Sequence, residues 1–546
     1  MKVSLASSID TDVLVLGGGG AGLRAAVAAA EAGVRVLVLS DTRVGYGSLT
    51  AVSGGAFAST QRSDPQGHFR DTVIGGRFLG DQDLALTLTQ GIDVEAEQLA
   101  AYGAQYLEEE RAPWLRHVID PGHHCAVMVY GRSSIGTDIT LPLRSVAESM
   151  GTRFIEGAMA TRLIVEDGRA LGAYVLTRDG QLRMVVARAT ILATGGMGQV
   201  YSHTDNTPGA TGDGYCLAYE AGLSLRDMEF MQFYPVNLGT GFPGVYYEIL
   251  VAGVEGRLIN AEGDDVRQLH GLDDPQSLTR DYLSIAMMRE VAAGRGVDGG
   301  VVLDIEHVPE ETLRVLEPVL PKAALRGQRR FNVVPTAHTH MGGVVVDCDM
   351  ATSLSGLYAA GEVTGGVHGA NRLGGNALSE VLVFGSIAGR SAAGYASRVS
   401  EIHPDEALAN TEGARLESLA KGSPDGLKSI RTRLKEVMWH DAGVLRSEPS
   451  LLTALDTVSE LERSLEDVGA QDGRGLQRVL KTRNMLLAGK LLCTAALKRT
   501  ESRGAHWRQD RPESHDDEWL KTILVRHGEH EPVVSTRQVT QPYIQP

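Results

Sequence analysis

Two glycine-rich segments have the residue types that bind the phosphates of a dinucleotide. Residues 13–22 read as an apolar strand, a glycine turn and the start of an alanine-rich helix. Such a turn lets the backbone approach a pyrophosphate closely at the positively polarised N-terminus of the helix. A second glycine-rich stretch, residues 356–376, lies far downstream and also carries charged and polar side chains. Two distant segments around one dinucleotide predict FAD held by a split domain, rather than NAD on a contiguous one.

Three further features would complete this cofactor site. The strand that follows the first helix ends in Ser40 and Asp41, and either side chain could bind the ribose hydroxyls. Residues 45–55 form a loop of small residues that could lie over a flavin. The strand at 189–192 runs into a glycine turn at 193–196. That turn lies at the carboxyl end of its strand, which is where α/β sheets bind ligands.

The elements that position these motifs can be read from the hydrophobic pattern. We predict the first strand, the first helix and the second strand at 12–16, 22–32 and 34–40. Alternating apolar and polar residues joined by Asp-Gly turns predict a small β-meander. Its strands are expected at 160–165, 170–177 and 182–187.

The C-terminal third of the chain shows a different pattern. Apolar residues recur there at helical spacing, which predicts helices at 427–437, 451–468 and 476–497. The polar and charged tail beyond residue 505 reads as an extended wrap over the rest of the protein.

The composition is that of a large globular enzyme. The chain has 546 residues, of which 43% are hydrophobic and 22% charged, and this length predicts about two to four domains or subdomains. A net charge of −16 argues against binding to nucleic acid or to anionic membranes. No apolar run approaches the roughly 18–20 residues of a membrane helix, and the first residues lack the pattern of a signal peptide. We therefore expect a cytoplasmic protein without direct membrane insertion.

The four cysteines are scattered and contain no C-x-x-C pair. This spacing argues against a disulfide framework, a zinc site or other metal site, and a protein-borne iron–sulfur cluster. Buried free thiols are the expected state of Cys125, Cys216, Cys348 and Cys493.

Ordered motifs along nearly the whole chain resemble the flavoprotein subunit of succinate dehydrogenase and fumarate reductase, and its relative L-aspartate oxidase. The series starts with the N-terminal glycine fingerprint. It continues through segments 193–196, 211–214, 228–230, 280–281, 337–343, 361–362, 369–376 and 501–506. So many motifs in one order make chance similarity implausible. The resemblance implies a FAD-binding domain, a mobile capping domain and a C-terminal helical domain.

The fold class that follows from this resemblance is α/β. We predict a split, Rossmann-like FAD-binding domain at 1–235 and 335–405, interrupted by an inserted α+β capping domain at 236–334. A helical domain is expected at 406–510 and a C-terminal extension at 511–546.

The resemblance also implies how FAD is bound. In the respiratory members a histidine of the loop at 45–55 bonds covalently to the flavin, and Ser48 takes that position here, similar to aspartate oxidase. A serine cannot form this link, so we predict non-covalent FAD, which weakens the case for succinate oxidation against a quinone pool. The predicted cofactor-binding residues are Gly17, Gly19, Gly20, Ala21, Gly22, Ser40, Asp41, Ser48, Gly54, Gly55, Ala193, Thr194, Gly195, Asp213, Gly361, Glu362, Asn376, Ala377 and Leu378.

Three residues match the family's substrate site. Arg280 corresponds to the arginine that handles a proton on the substrate carbon, next to the carbon that exchanges a hydride with flavin N5. Because an arginine normally stays protonated, this role needs a confined site and close partners. The alternative is a helix-start arginine paired with Asp281. His338 and Arg372 match the carboxylate-binding pair, and the planar fork of Arg372 suits bidentate binding.

Two departures from the family alter this site. Tyr234 replaces a histidine that binds a carboxylate. A gapless match puts Ile249 and Ala252 where the family has the acidic residue and the arginine of a proton relay. Either Glu248 and Glu255 supply the relay through a shifted register, or the usual proton route is absent. Since poor pairing of a buried carboxylate costs about 2–5 kcal/mol, we expect succinate and fumarate to be poor substrates.

These residues predict a FAD-dependent oxidoreductase that transfers a hydride between a small carboxylate and flavin N5. The bond oxidised would be C–C, or C–N as in L-aspartate oxidase, because reduction of an alkene needs the proton delivery that the missing relay would supply. A second hypothesis is a flavoprotein subunit of fumarate reductase or succinate dehydrogenase type, in which an iron–sulfur partner, another acceptor protein or O₂ takes the electrons. A third is a flavin-binding protein whose active site has decayed.

Overall fold

The computed structural model describes residues 2–3, 5–238, 246–400 and 402–546. Its strands are β1 (Leu5–Leu16), β2 (Val36–Ser40), β3 (Ala56–Ser59), β4 (Val127–Tyr130), β5 (Arg153–Glu156), β6 (Ala158–Glu166), β7 (Arg169–Thr177), β8 (Leu182–Leu192), β9 (Leu225–Arg226), β10 (Met231–Asn237), β11 (Arg257–Ile259), β12 (Val301–Asp304), β13 (Arg330–His340), β14 (Gly343–Val344), β15 (Leu357–Ala359), β16 (Leu445–Arg446), β17 (Trp507–Arg508), β18 (Lys521–Arg526) and β19 (Val533–Gln538). Its α-helices are α1 (Gly20–Glu31), α2 (Leu49–Val52), α3 (Pro65–Gly75), α4 (Gln82–Ala101), α5 (Thr137–Ser149), α6 (Asp213–Glu220), α7 (Tyr247–Leu250), α8 (Val266–Leu269), α9 (Arg280–Ala292), α10 (Glu310–Val315), α11 (Asn376–Ala396), α12 (Glu406–Leu419), α13 (Leu427–Asp441), α14 (Glu448–Leu465), α15 (Gly473–Lys498) and α16 (Asp516–Trp519).

A largely parallel sheet carries the N-terminal glycine fingerprint. Its strand order is β5-β2-β1-β8-β7-β6, and β15 also pairs with β8. The last residue of β1, Leu16, lies level with Leu39 of β2 and Leu192 of β8, and Leu192 lies level with Ala359 of β15. Residues 13–16 are buried, as expected for a strand covered on both faces. The carboxyl ends of four strands therefore meet at one edge of the sheet.

Helices α1 and α11 pack closely against each other beside this sheet. A β-carbon at Gly389 of α11 would lie 2.3 Å from the carbonyl oxygen of Ala25 in α1. One at Gly385 would lie 2.8 Å from the carbonyl oxygen of Ala21. The two glycines thus let the downstream helix lie directly on the fingerprint helix, which brings the two glycine-rich segments together.

The predicted N-terminal elements and the β-meander are confirmed, with two corrections. The first strand begins at Leu5 rather than at Asp12, because its exposed N-terminal half also pairs with β8. The strands predicted at 182–187 and 189–192 form the single strand β8. Arg188, which lies between them, does not interrupt the strand, since its Nη1 donates to Asp12 Oδ1 at 2.8 Å.

The capping region has its own sheet and its own hydrophobic core. The strand order is β10-β13-β12-β11, and the core includes Tyr247, Ile249, Leu283 and Phe331. Strands β10 and β13 both cross the predicted boundaries of this domain, so they connect it directly to the FAD-binding part. The boundaries themselves stay predictions, and residues 239–245 of the predicted capping domain lie outside the described part of the chain.

The predicted C-terminal helices are confirmed as α13, α14 and α15. The prediction of an extended wrap for the tail is wrong, because residues 521–538 form a hairpin of β18 and β19 that joins β9 and β14 in a four-stranded sheet. Ile523 and Val525 are fully buried in it. The alternation of apolar and polar residues in β18 was the overlooked signal.

The cysteines are free thiols, but only Cys216 and Cys493 are buried. Cys125 is partly exposed and Cys348 is exposed, which corrects the expectation of four buried thiols. Among the described residues no helix is both long and apolar enough to cross a membrane.

Candidate functional site

A cavity of about 570 Å³ opens at the carboxyl edge of the main sheet, a size typical of small-molecule and cofactor sites. One part of its wall comes from the ends of β1, β2 and β8, the loop at 45–55 and the start of α11. The other part is formed by the polar side chains Tyr234, Glu248, Arg280, His338 and Arg372. The glycine turns and the predicted substrate residues therefore share one space.

The glycine turns keep their backbone open to this cavity. Gly17 has a φ of +123°, and a β-carbon there would lie 2.0 Å from the carbonyl oxygen of Ala193, so only glycine fits. Gly361 has a φ of +77°, and a β-carbon there would lie 2.8 Å from the Cβ of Ala21. The upstream and downstream turns thus meet at the N-terminus of α1, as a split dinucleotide site requires, and these residues fit the diphosphate of FAD.

Almost all predicted cofactor-binding residues line the cavity. They are Gly17, Gly19, Gly20, Ala21, Ser40, Asp41, Ser48, Gly54, Gly55, Ala193, Thr194, Gly195, Asp213, Gly361, Glu362, Ala377 and Leu378.

Gly22 and Asn376 lie behind the wall instead. A β-carbon at Gly22 would be 2.0 Å from the carbonyl oxygen of Gly17, so this glycine lets helix α1 pack on its strand. The side chain of Asn376 bonds α3, with Oδ1 2.8 Å from His68 Nε2 and Nδ2 donating to Thr72 Oγ1 at 3.0 Å. Both residues shape the site without facing the cavity.

The residues predicted for the ribose and for the flavin linkage already have protein partners. Lys481 Nζ of α15 forms an ion pair with Asp41 Oδ2, whereas Ser40 contacts Thr42. Ser48 precedes α2, and its Oγ accepts a hydrogen bond from Ala51 N–H at 3.1 Å. The choice between Ser40 and Asp41 as the ribose ligand stays open.

One acidic residue of the wall is protonated near neutral pH. Burial, reinforced by the charges of Glu380 and Asp205, raises the pKa of Glu362 to about 8, against the opposing hydrogen bond from the His340 N–H. That bond, from His340 N–H to Oε1, measures 2.9 Å. A neutral Glu362 places no negative charge beside a bound dinucleotide at pH 7.

Arg280 is the centre of the polar part of the cavity. It is the first residue of α9 and is buried. Its Nη2 donates to Glu248 Oε1 at 2.9 Å, and its Nη1 donates to Gln232 Oε1 at 3.3 Å. Asp281 instead accepts a hydrogen bond from Arg77 Nη2 at 2.7 Å. The alternative reading of Arg280 as a helix-start partner of Asp281 is therefore wrong.

Tyr234 fixes the second oxygen of Glu248. The Tyr234 hydroxyl donates to Glu248 Oε2 at 2.7 Å and accepts from the Tyr247 N–H at 3.1 Å. Burial, and then the charge of Glu248, raise the pKa of Tyr234 well above its ordinary value, so it stays a neutral donor. The tyrosine that replaces the family's histidine thus holds Glu248 beside Arg280.

This geometry decides between the two alternatives for the proton relay. Glu248 reaches Arg280 through a shifted register, while Glu255 is exposed, with a φ of +55°. Ile249 and Ala252 are buried in the apolar core of the capping region. Glu248 alone therefore occupies the position of an acidic relay residue.

The charges around Arg280 keep it protonated at rest. Burial lowers the pKa of Arg280, but the charge of Glu248, followed by Tyr247 and Tyr234, more than reverses this effect and raises the pKa above its ordinary value. Arg280 can thus give up a proton only when a neighbouring group replaces it in the same step.

Gln232 joins the two arginines and was missed in the sequence. Its Oε1 accepts from both Arg280 Nη1 and Arg372 Nε, the latter at 3.1 Å, and its Nε2 donates to the Arg372 carbonyl at 2.7 Å. It follows the matched motif at 228–230 and precedes Tyr234 on β10, where a polar residue in a buried strand was the available signal. Gln232 sets the spacing between the two cations.

Arg372 is a buried cation that lines the cavity. Its Nε donates to the neutral amide of Gln232, and no acidic side chain of the described residues forms an ion pair with it. The remaining donors of its guanidinium are available to a ligand.

His338 presents one ring nitrogen to the same space. Its Nδ1 lies 2.6 Å from Asp205 Oδ2, so the carboxylate holds the proton on Nδ1 and fixes the ring orientation. The ring lines the cavity beside Tyr234, at 5.3 Å between ring centroids. In the described structure Nε2 has no hydrogen-bond partner, which leaves it for a ligand. Asp205 was not predicted from the sequence.

The fold and the cavity define a FAD-dependent oxidoreductase. The FAD binding domain family matches residues 12–378, and the fumarate reductase flavoprotein C-terminal family matches residues 431–546. Together these matches extend over most of the chain, and the chain belongs to the succinate dehydrogenase/fumarate reductase flavoprotein family.

Individual relatives agree with this assignment. The CoM/CoB fumarate reductase of Methanothermobacter marburgensis has a polypeptide that is 36% identical, over 94% of this chain and 97% of that protein. The L-aspartate oxidase of Streptomyces coelicolor is 33% identical, over 95% of this chain and 92% of that protein. A FrdA variant from E. coli quinol fumarate reductase shares the fold with a TM-score of 0.90 and 28% identity, over 99% of this chain and 98% of that one.

Proposed function

We propose that this flavoprotein transfers a hydride between a small carboxylate and the N5 of non-covalently bound FAD, and that it oxidises a C–C or C–N bond. The observation that carries the proposal is Arg372, a buried guanidinium that faces the cavity without an acidic partner in the described structure. A buried charge without a counter-charge is costly, so an anionic ligand is expected there. A carboxylate suits the planar fork of Arg372, and Nε2 of His338 would donate to or polarise the same ligand.

The turns at 17–21, 193–195 and 361–362, with the start of α11, would hold the cofactor. Bound FAD would accept or give the hydride at its N5. Ser48 supports non-covalent attachment, because a hydroxyl that caps α2 cannot form the histidyl link of the respiratory enzymes.

Arg280 and Glu248 are the groups that we propose to move the proton. In an oxidation the proton leaves the substrate carbon for Arg280, which passes a proton to Glu248 as the hydride departs. In a reduction the same proton moves in reverse. The 2.9 Å contact between Nη2 and Oε1 allows this exchange within one step, and Tyr234 keeps the carboxylate in place.

The distal end of the substrate is proposed to be neutral, amino-bearing or larger than the carboxylate of succinate. The second cation of the cavity, Arg280, is already paired with Glu248. A second substrate carboxylate would have to compete with Glu248 for Arg280, at a cost of about 2–5 kcal/mol for the poorly paired charge. Succinate and fumarate are therefore expected to react poorly.

A panel of carboxylates tests this proposal. Holoenzyme is mixed without oxygen with mono- and dicarboxylic acids and amino acids, and flavin bleaching is recorded for the wild type and for Arg372→Gln. We expect rapid bleaching by one class of small carboxylate, lost in the variant. Bleaching at the rate of respiratory enzymes by succinate would contradict the proposed distal end, and bleaching that survives Arg372→Gln would contradict the binding role.

A second candidate is a fumarate reductase type flavoprotein that works with an iron–sulfur partner. It is favoured by Glu248, which supplies the proton delivery that reduction of an alkene needs, and by the names of relatives. Gel filtration of the endogenously expressed protein distinguishes the two, because co-elution with an iron-containing protein supports the second. Elution alone, with electrons passed to O₂ or to another acceptor protein, supports the first. The cytoplasmic location stays a prediction.

A further inference from the structure

A buried carboxyl group next to the polar cavity has no place in the mechanism above. The side chain of Asp120 is 6% exposed. Neither of its oxygens has a hydrogen-bond partner in the described structure. Burying an acid without partners is costly, and an unsatisfied buried group in a folded protein calls for an explanation.

The backbone around Asp120 ties it to the capping region. The Ile119 N–H donates to the carbonyl oxygen of Glu248 at 3.0 Å. The Gly122 N–H donates to Gln276 Oε1 at 3.0 Å. Asp120 therefore keeps a fixed position relative to the acidic residue that contacts Arg280.

The carboxyl group itself faces the Arg372 loop. A β-carbon at Gly374 would lie 2.1 Å from Asp120 Oδ1, so glycine at that position leaves the space that the carboxyl group fills. His123 Nε2 lies 3.5 Å from Asp120 Oδ2 and 2.9 Å from the Gly374 carbonyl oxygen. Asp120 thus lies between the capping region and the carboxylate-binding loop.

The groups that act electrostatically on Asp120 are those of the proposed proton site. Burial, and then the negative charge of Glu248, raise the pKa of Asp120 to about 7, while Arg280 opposes them. Asp120 in turn acts on Tyr130 of β4 and Tyr247 of α7. Burial lowers the pKa of the neighbouring His123, so this ring is neutral.

Arg280 has a complementary unsatisfied group. Its Nε is buried and has no hydrogen-bond partner in the described residues. A buried donor on Arg280 and two buried acceptors on Asp120 are thus close enough to interact electrostatically, and both lack partners. One ordered water or a small closure of the capping region would join them.

We propose that Asp120 is a positioning and proton-relay residue that acts through Arg280, as a second carboxyl group beside the Arg280–Glu248 pair. In a reduction, Arg280 gives a proton to the substrate carbon and regains one from the neutral Asp120, which is later reprotonated from solvent. In an oxidation the proton passes to the ionised Asp120. No electrons move at this residue. The inference rests on the proposed function, because it needs Arg280 to exchange protons.

Infrared difference spectra of the holoenzyme across a pH titration test the electrostatic coupling. We expect a protonated-carboxyl band that titrates near pH 7 and is absent in Asp120→Asn. Its midpoint should rise in Arg280→Met, which removes the opposing positive charge, and fall in Glu248→Gln. The exposed Asp273→Asn controls for the loss of one acid. A band that Asp120→Asn leaves intact, or a midpoint that neither other variant moves, would overturn the proposal.

Single-turnover rates test the relay itself. Dithionite-reduced holoenzyme is mixed with fumarate, and oxidised holoenzyme with L-aspartate. In the wild type the first rate should fall, and the second rise, as the pH increases through about 7. In Asp120→Asn both rates should drop by at least about 10-fold and lose this pH dependence, while the Kd of the carboxylate stays unchanged.

The outcomes separate the two proposals. Wild-type turnover that depends on Arg280, with the same pH profile in Asp120→Asn, would overturn the relay and leave the proposed function standing. Absence of reaction with every carboxylate of the panel would overturn both.

Discussion

Replacing Glu248 by glutamine tests the proton site most sharply. The substitution keeps the size of the side chain and its ability to bond Arg280 and Tyr234, but it removes the negative charge. Arg280 then loses its counter-charge and the group that we propose to receive its proton. We expect stable, yellow protein that binds FAD and turns over its substrate very slowly.

The magnitude follows from the geometry of the pair. The two side chains are each 6% exposed and 2.9 Å apart. Leaving one charge of such a buried pair uncompensated costs about 3–5 kcal/mol, and the amide keeps one hydrogen bond, so we expect a loss of unfolding free energy near the lower end, about 3 kcal/mol. Loss of a general acid–base group lowers the rate by about 10²–10⁴-fold.

The assay is anaerobic flavin bleaching by the best carboxylate of the panel, with urea unfolding of the same proteins. Glu255→Gln is the matched control, because it removes the same charge from an exposed residue of the same segment. We expect it to match the wild type in both measurements. If Glu248→Gln turned over within a few-fold of Glu255→Gln, the proton would be handled elsewhere.

Four further predictions follow from named contacts. Acid precipitation should release FAD into the supernatant, since Ser48 takes the linkage position; flavin retained in the pellet would show a covalent bond. Arg372→Gln should weaken carboxylate binding by about 2–5 kcal/mol in a flavin absorbance titration, and an unchanged Kd would exclude it as the anchor. Tyr234→Phe removes a hydrogen bond to a charged group, worth about 1.5–3 kcal/mol, so kcat should fall more than KM rises; a change in KM alone would place the tyrosine on the substrate. Because the folded-state pKa of Glu362 is about 8, above its ordinary 4.5, this group contributes stability at low pH that is lost as the pH rises across that window. Urea unfolding should therefore show Glu362→Gln gaining stability relative to wild type between those values, and a constant difference would contradict the raised pKa.

The parts of the fold that the sequence predicts well are those with strong local periodicity. The fingerprint at β1 and α1, the meander and helices α13 to α15 have apolar residues at regular spacing over many positions. Ser48 and the glycine turns could be placed because turn chemistry is local. The extension of β1 to Leu5 could not, because it depends on pairing with a strand far along the chain.

The polar site shows the same limit. Arg280, His338 and Arg372 were predicted from motifs, and the structure brings them to one cavity. Gln232 and Asp205 were missed because their importance comes from contacts with distant residues, which no local pattern records. The gapless match also placed Ile249 in the relay, whereas the turn before α7 shifts the register so that Glu248 faces Arg280. A single-residue shift of this kind is decided by tertiary packing.

The central claim is that a small carboxylate binds between Arg372 and His338, next to the Arg280–Glu248 pair. A crystal structure of the FAD-loaded protein with the best carboxylate of the panel tests it most directly. We predict density for the carboxylate on the guanidinium of Arg372 and on Nε2 of His338, with Glu248 still bonded to Arg280. A ligand whose carboxylate lies away from Arg372, or that displaces Glu248 from Arg280, would contradict the account.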